Sequence, residues 1–452
     1  MYDLIIVGGG PAGYYGAEKA AEAGMSVVLV EKNLIGGICL NEGCIPSKTL
    51  LYSSKLFKQA KNSEKFGVIA SDVSFKISTA ISRKEKIVST LRNGIAFTLK
   101  KNNVLVETGN GFILPKQNDV FKVQVGEKIL EAGRLMICTG SEPVVPPIPG
   151  AGRPFVVTNK EILNSESIPG NLVVVGGGAI GLEMACFFAE TGSMVTVIEV
   201  LPSIAGTIDS EIGTVLKKEL EKSGVRFLLK ARATEIGDKT VTVESDEGRS
   251  TVPADLVLLS VGRRPMTRGF GLENLGVLLE NNAIKTDTKG RTNISGVWAA
   301  GDVNGVSMLA HTAYREAQVC IDVMTGKNSA MNYDAIPLVI YTHPEVACVG
   351  LTAEDAQRRG LSVTTSKLPL SYNGRYCAEN ESGRGICKAV IDTLNKTLVG
   401  LHMIGGNCSE MIYGAAAMIE YKQTIEDINK IVFPHPTVSE IIKDTVLQAH
   451  LL

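Results

Sequence analysis

The chain has 452 residues, 44% of them hydrophobic and 21% charged, with a formal net charge of −1. That length exceeds a single hydrophobic core and predicts roughly two to four globular domains, and the balanced charge gives no footprint for nucleic acid or an anionic membrane. No apolar run approaches the roughly 20 residues of a membrane-spanning helix, and "MYDLIIVGGG" passes straight into a strand without a basic leader, so a cytoplasmic protein is expected.

Asp3 opens "DLIIVGGGPAGYYGAEKAAEAGMSVVLVEK". Its continuous apolar run predicts a buried parallel strand. Gly8, Gly10 and Gly13 then make a G-x-G-x-x-G turn, a helix runs to about Gly24, and a second apolar strand ends on Glu31. This is the order a dinucleotide needs. The first glycine makes the turn, the second lets backbone approach the pyrophosphate, and the third lets helix pack on strand. The helix N-terminus offers unpaired N–H groups and positive dipole to the phosphates, and the acid accepts from ribose hydroxyls. The same pattern returns without a gap at Asn171, an offset of 168 residues from Asp3, with Gly176, Gly178, Gly181, a helix to Gly192 and a strand ending on Glu199. One glycine turn is weak evidence, whereas the whole pattern occurring twice is strong.

Other segments repeat too. Short β-like stretches, "VLVETGNGFIL" and "TVTVESDEGRS", follow the two units, as do buried strands "LMICTGSEP" ending at Pro143 and "VLLSVGRRP" ending at Pro265. The prediction is two similar α/β domains, each with a parallel sheet and a β-meander. Two dinucleotide sites in one redox chain suit a flavin and a nicotinamide. "ISGVWAAGDV" predicts an apolar strand ending at Gly301-Asp302, where an acid can meet a ligand hydroxyl, although capping a turn is the commoner use of such a residue. "MLAHTAYREAQVCIDVM" predicts a helix from about Met308 whose N-terminal dipole suits a flavin ring. From about Tyr333 the pattern changes to an antiparallel sheet with helices.

The nine cysteines are an odd number in a large chain, which argues against a structural disulfide framework. Cys39 and Cys44, in "GGICLNEGCIPSK", are the close pair. Three readings stand open: a zinc site, which lacks neighbouring Cys or His ligands; two inert core thiols; or a redox disulfide. The third requires a break in the helix. Five helical residues rise roughly 7.5 Å, and disulfide Cα atoms lie roughly 4.4–6.8 Å apart. Gly43 between the thiols permits the break, and Lys48 one turn on can tune a thiol or a cofactor.

With these residues in view, "GGICLNEGCIPSK" resembles the active-site motif of the dihydrolipoamide dehydrogenases, within the flavin-dependent pyridine nucleotide–disulfide oxidoreductases. The likeness extends to both dinucleotide motifs, "CTGSEP", "SVGRRP", "AAGDV", "YTHPEVACVGLTAEDA" and "HPTVSE". Ile38 and Phe433 depart from the family, which more often has threonine and histidine there.

The resemblance implies an FAD-binding domain in two parts, residues 1–143 and 265–332, a NAD-binding domain at 144–264 and a dimer-interface domain at 333–452. It places FAD on the first glycine unit, Gly8, Gly10 and Gly13, with Glu31 and Asp302, and NAD on the second, Gly176, Gly178 and Gly181, with Glu199. Lys48 is implied near the flavin and paired with Glu183, and Gly111, Thr139, Gly140, Gly262, Arg263, Met308, Leu309, Ala310 and His311 are implied as further cofactor contacts. Cys44 is implied as the thiolate beside the flavin and Cys39 as the interchange thiol. His435 is implied as the base, oriented by Glu440; without the family, a satisfied surface or core histidine is the commoner reading. No metal site is implied. The expected reaction is oxidation of protein-bound dihydrolipoyl groups with reduction of NAD+, by a homodimer serving a lipoyl-carrying acyltransferase or glycine-cleavage carrier. A glutathione-reductase-like enzyme is the alternative. Glu199, which would repel the 2′-phosphate of NADP, argues against it.

Overall fold

The computed structural model describes residues 1–380 and 384–449. Strand β1 (Tyr2–Val7) runs parallel to β2 (Val27–Glu31), with Ile6 opposite Leu29. On its other side β1 pairs in parallel with Lys128–Ile137, and Ile6 faces Met136. Residues 4–7, 27–30 and 135–137 are buried apolar runs, as a sheet covered on both faces requires. Helix α1 (Pro11–Glu22) connects β1 to β2, with Pro11 in the first turn, where its missing N–H costs no helical bond.

The expected repeat is present. Asn171–Val175 and Met194–Glu199 pair in parallel across the helix Ala179–Thr191, and Leu256–Leu259 joins beside them. Each unit has its antiparallel meander, but they attach differently. In the first, Lys128–Ile137 is ten residues long and belongs to both the meander and the parallel sheet. In the second, the meander strand Gly248–Pro253 stops at a proline, which lacks a ladder donor, and a new strand starts at Leu256. The second meander is therefore a separate three-stranded sheet.

After Pro265 the chain returns to the first sheet, where Val297–Ala299 pairs with Lys128–Ile137. The helix expected from Met308 begins at Ala310, because Leu309 is still extended at φ −126° and ψ 136°. Beyond it, five strands between Leu338 and Gly405 form an all-antiparallel sheet. One core cluster joins Leu50 and Leu51, Phe187 and Phe188 of the second unit's helix, and Ile340 and Val346 of this last sheet. The residues after the cysteine pair are thereby clamped between the second and third sheets. None of the described helices is long and apolar enough to cross a membrane.

Candidate functional site

The two glycine turns have matching geometry. Gly8 and Gly176 sit at φ 104° and 107°, conformations L side chains rarely adopt. A Cβ on Gly13 would collide with the Gly8 carbonyl, and one on Gly181 with the Gly176 carbonyl, so helix and strand pack backbone to backbone. The middle glycines differ. A Cβ on Gly10 would meet only Gly37 Cα at 3.9 Å, and one on Gly178 would meet nothing within 4 Å. The fold does not need glycine at either place, whereas a ligand lying close against the backbone does.

Glu31 Oε2 accepts from Gly9 N–H at 2.6 Å, and Glu199 Oε2 accepts from Gly177 N–H at the same 2.6 Å. Both acids are thus held at the mouth of a glycine turn, where a dinucleotide would lie. Gly13→Ala should lower the thermal unfolding midpoint, costing about 1–3 kcal/mol from backbone overpacking. An unchanged midpoint would show that α1 can slide away from β1.

The cysteine pair follows the first turn. Helix α2 (Gly37–Glu42) and helix α3 (Cys44–Lys61) meet at Gly43, whose φ −150° and ψ −107° break the helical path as expected. Cys39 and Cys44 come to 4.7 Å between Cα atoms and are joined as a disulfide, which removes them as zinc ligands. The other seven cysteines are free, and only Cys377 among them is exposed. Gly36 N–H donates to Gly9 O at 2.8 Å, so α2 starts directly on the first glycine turn. Asn41 fastens it, donating to Ile35 O at 3.1 Å and Gly37 O at 2.8 Å.

Lys48, one turn into α3, reaches the buried Glu183 of the second unit, its Nζ 3.0 and 2.9 Å from the two carboxylate oxygens. The expected pair therefore spans the two dinucleotide units. Tyr341 completes it from just beyond the strand Leu338–Ile340 of the C-terminal antiparallel sheet. Its N–H donates to Glu183 Oε1 at 3.1 Å, and its ring centroid lies 4.4 Å from Lys48 Nζ.

The two repeated strand ends pair with each other, Ser141–Pro143 antiparallel to Arg263–Pro265. Gly140 at φ 74° and Gly262 at φ 119° turn the chain into that ribbon. Arg263 donates to Ser141 Oγ at 2.8 Å and to Ser141 O at 2.9 Å, and the Ser141 hydroxyl donates to Asp302. Burial holds the Arg263 guanidinium below its ordinary pKa. Glu316 accepts from Gly301 N–H at 2.6 Å and from Asn304 at 2.8 Å, fixing the turn that carries Asp302.

The remaining expected residues are more dispersed. Thr139 Oγ donates to Met266 O at 2.7 Å. Met308 and Leu309 lead into the helix that starts at Ala310, and His311 donates from Nε2 to Pro337 O at 2.7 Å. Gly111 lies in the strand Gly111–Ile113, and a Cβ there would stand 2.9 Å from Val30 Cγ1, so packing alone explains that glycine.

His435 lies far along the chain, in the turn before the helix Glu440–Gln448. Its Nδ1 donates to Glu440 Oε1 at 3.0 Å, and Thr437 N–H donates to Glu440 Oε2 at 2.9 Å. Hydrogen bonds from the Thr437 backbone and from His435 hold the Glu440 carboxyl below its ordinary value, so it stays an anion and fixes the tautomer. Nε2 is left as the proton acceptor on a side chain that is 81% exposed.

Ser141, Glu316 and Tyr341 were not singled out from sequence. Ser141 and Tyr341 stand inside "CTGSEP" and "YTHPEVACVGLTAEDA", whose likeness to a family was the available signal. Glu316, a charged residue in an amphipathic helix, had none.

The chain matches the family model described as pyridine nucleotide-disulphide oxidoreductase over residues 2–317, and that family's dimerisation domain over residues 336–446. A mitochondrial dihydrolipoyl dehydrogenase from Pisum sativum is 37% identical over 460 residues, covering 99% of this chain and 91% of that protein. A dihydrolipoyl dehydrogenase from Trypanosoma brucei brucei is 36% identical, covering 99% of this chain and 96% of that protein. Among solved structures, LpdA from Mycobacterium tuberculosis superposes with a TM-score of 0.91 at 25% identity, with 99% of each chain covered.

Proposed function

The chain belongs to the pyridine nucleotide-disulphide oxidoreductases, and on that premise we propose that it is a dihydrolipoyl dehydrogenase. It oxidises a protein-bound dihydrolipoyl dithiol to the disulfide and reduces NAD+ to NADH, releasing one proton. The observation that carries this reading is the Cys39–Cys44 disulfide held at a helix break against the first glycine turn. The first turn, with Glu31 and Asp302, would hold FAD; the second, with Glu199, would hold NAD+. The open faces of Gly10 and Gly178 fit such groups. Bound, the two cofactors supply the two-electron path that reoxidises the cysteine pair.

The chain's own residues do the rest. His435 Nε2 takes the proton of a substrate thiol, since the thiolate and not the thiol is the nucleophile. Glu440 holds the ring in the accepting tautomer and favours the imidazolium that forms. The substrate thiolate attacks Cys39 Sγ, which breaks the Cys39–Cys44 bond and leaves Cys44 as thiolate. The second substrate thiol then passes its proton to the leaving Cys39 sulfur, displaces Cys39 from the mixed disulfide and closes the lipoyl ring. Lys48, fixed by Glu183, keeps a positive charge one turn along α3 from Cys44.

Cofactor choice follows from Glu199. Its carboxylate at the second turn suits ribose hydroxyls and repels a 2′-phosphate. kcat/KM should favour NAD over NADP by at least about 100-fold, or about 2.7 kcal/mol. Dihydrolipoamide-dependent NAD+ reduction, measured beside NADPH-dependent reduction of glutathione disulfide, decides between this enzyme and a glutathione-reductase-like one. Comparable rates with both nucleotides would overturn the assignment. The working form is a homodimer, the partner is a lipoyl-carrying protein of an oxo-acid, acetoin or glycine-cleavage complex, and the seven free cysteines suit a reducing cytoplasm.

A further inference from the structure

Behind the Lys48–Glu183 pair lies a second cluster that the reaction does not use. Cys186 and Glu190 stand four residues apart on the helix Ala179–Thr191, so their side chains share one face. His343, from the turn before the strand Glu345–Gly350, closes over them. Its Nδ1 lies 2.9 Å from Glu190 Oε2 and 3.9 Å from Cys186 Sγ. Among the described residues, this is the group of three Cys, His and carboxylate side chains whose ligand atoms all fall within 4.8 Å of one another.

The arrangement is not that of a nucleophile with its base. In a thiol–imidazole–carboxylate relay, the thiol and the carboxylate face opposite ring nitrogens. Here both face Nδ1. Sulfur, nitrogen and oxygen converge on one point, as ligands do around a shared centre. Separations near 3–4 Å are the edges of a small coordination polyhedron whose bonds are roughly 2.0–2.3 Å long.

We propose that Cys186, Glu190 and His343 bind one divalent metal ion of borderline softness, of the zinc class, at a site separate from the Cys39–Cys44 pair. Thiolate, imidazole and carboxylate together select zinc or cobalt over magnesium or calcium, which prefer oxygen alone. Three protein ligands leave a fourth tetrahedral position for solvent.

The site is built but occupied by a competitor. Lys58 of α3 pairs with Glu190 Oε1 at 3.1 Å, and Ser54 donates to Glu190 Oε2 at 2.8 Å. Lys58 is 40% exposed and can swing to solvent, whereas Glu190 is 1% exposed and cannot follow. The charged groups around the cluster are Glu190 on the same helix as Cys186, His343 from the turn and Lys58 from α3. An ion bound here takes Cys186 as thiolate and His343 through an unprotonated Nδ1, so binding releases protons and frees Lys58.

The test uses the oxidised, flavin-loaded dimer, in which the closed Cys39–Cys44 disulfide offers no thiolate. It reads metal content, so it succeeds or fails independently of the dehydrogenase assignment. After incubation with zinc and gel filtration, elemental analysis should find one zinc per chain. Cobalt should give a thiolate-to-metal absorption band. Cys186→Ala should remove the band, and Cys186→Ala and His343→Gln should each weaken zinc binding at least tenfold. Lys58→Met, which removes the competitor, should tighten zinc binding about tenfold, a gain that a misfolded variant cannot mimic. The proposal is overturned if the oxidised wild-type protein and Lys58→Met retain no zinc. It is equally overturned if Cys186→Ala and His343→Gln retain as much as the wild type.

Discussion

Replacing Cys39 by serine should reduce dihydrolipoamide-dependent NAD+ reduction by three orders of magnitude or more, that is by about 4 kcal/mol in the barrier. The loss is large if Cys39 Sγ is, as proposed, the atom the substrate thiolate attacks: Cys44 is then left without a disulfide partner, and of the seven cysteines outside the pair six are buried while Cys377 lies in the C-terminal domain. The same variant tests which sulfur does what. Without Cys39, Cys44 cannot close a disulfide, so denatured protein should titrate eight free thiols, the nine of the chain less the one replaced, against the seven free in the oxidised wild type. Cys44 sits at the N-terminus of α3, where the helix dipole favours thiolate. The flavin-loaded Cys39→Ser protein should therefore show a long-wavelength thiolate–flavin absorption without any reductant, and Cys44→Ser should not. If Cys44→Ser alone shows it, the roles of the two sulfurs are reversed.

The parts of this molecule that were legible in the sequence are those fixed by local rules. The strand–turn–helix–strand units follow from apolar runs and from glycines that only a positive φ or a backbone contact explains, Gly8 and Gly13 in one copy, Gly176 and Gly181 in the other. The helix break at Gly43 follows from arithmetic, since two thiols five residues apart cannot meet along a continuous helix. Long-range pairing was not legible. Nothing in "CTGSEP" or "SVGRRP" says that these two segments form one ribbon, or that Arg263 reaches the acid Asp302 through Ser141. The two meanders looked alike as patterns, but the second is cut at Pro253 and forms a separate sheet. The Lys48–Glu183 pair joins residues 135 positions apart and entered through a family likeness rather than through spacing.

The position of His435 leads to the second large effect. Its imidazole is 81% exposed and sits in the turn before the last helix, on the domain that matches the family's dimerisation module, while the disulfide that it would serve as the proposed base is held by the first glycine turn. A base that removes a substrate proton has to lie within hydrogen-bond reach of the reacting sulfur. In a C2 dimer the requirement is met if each site takes its cysteine pair from one protomer and His435 from the partner. Cys39→Ser and His435→Ala homodimers should then each be nearly inactive with dihydrolipoamide. Unfolded and refolded together, the two chains mix, and random pairing makes about half of the dimers mixed. In every mixed dimer one site carries both substitutions and the other carries neither. Roughly a quarter of all sites should therefore recover full activity if the sites work independently. Recovery on that scale from two inactive parents has no source in sites confined to single chains, because each chain would still lack one of its two groups. Well-folded mixed dimers that regain nothing would place the base and the cysteine pair within one chain.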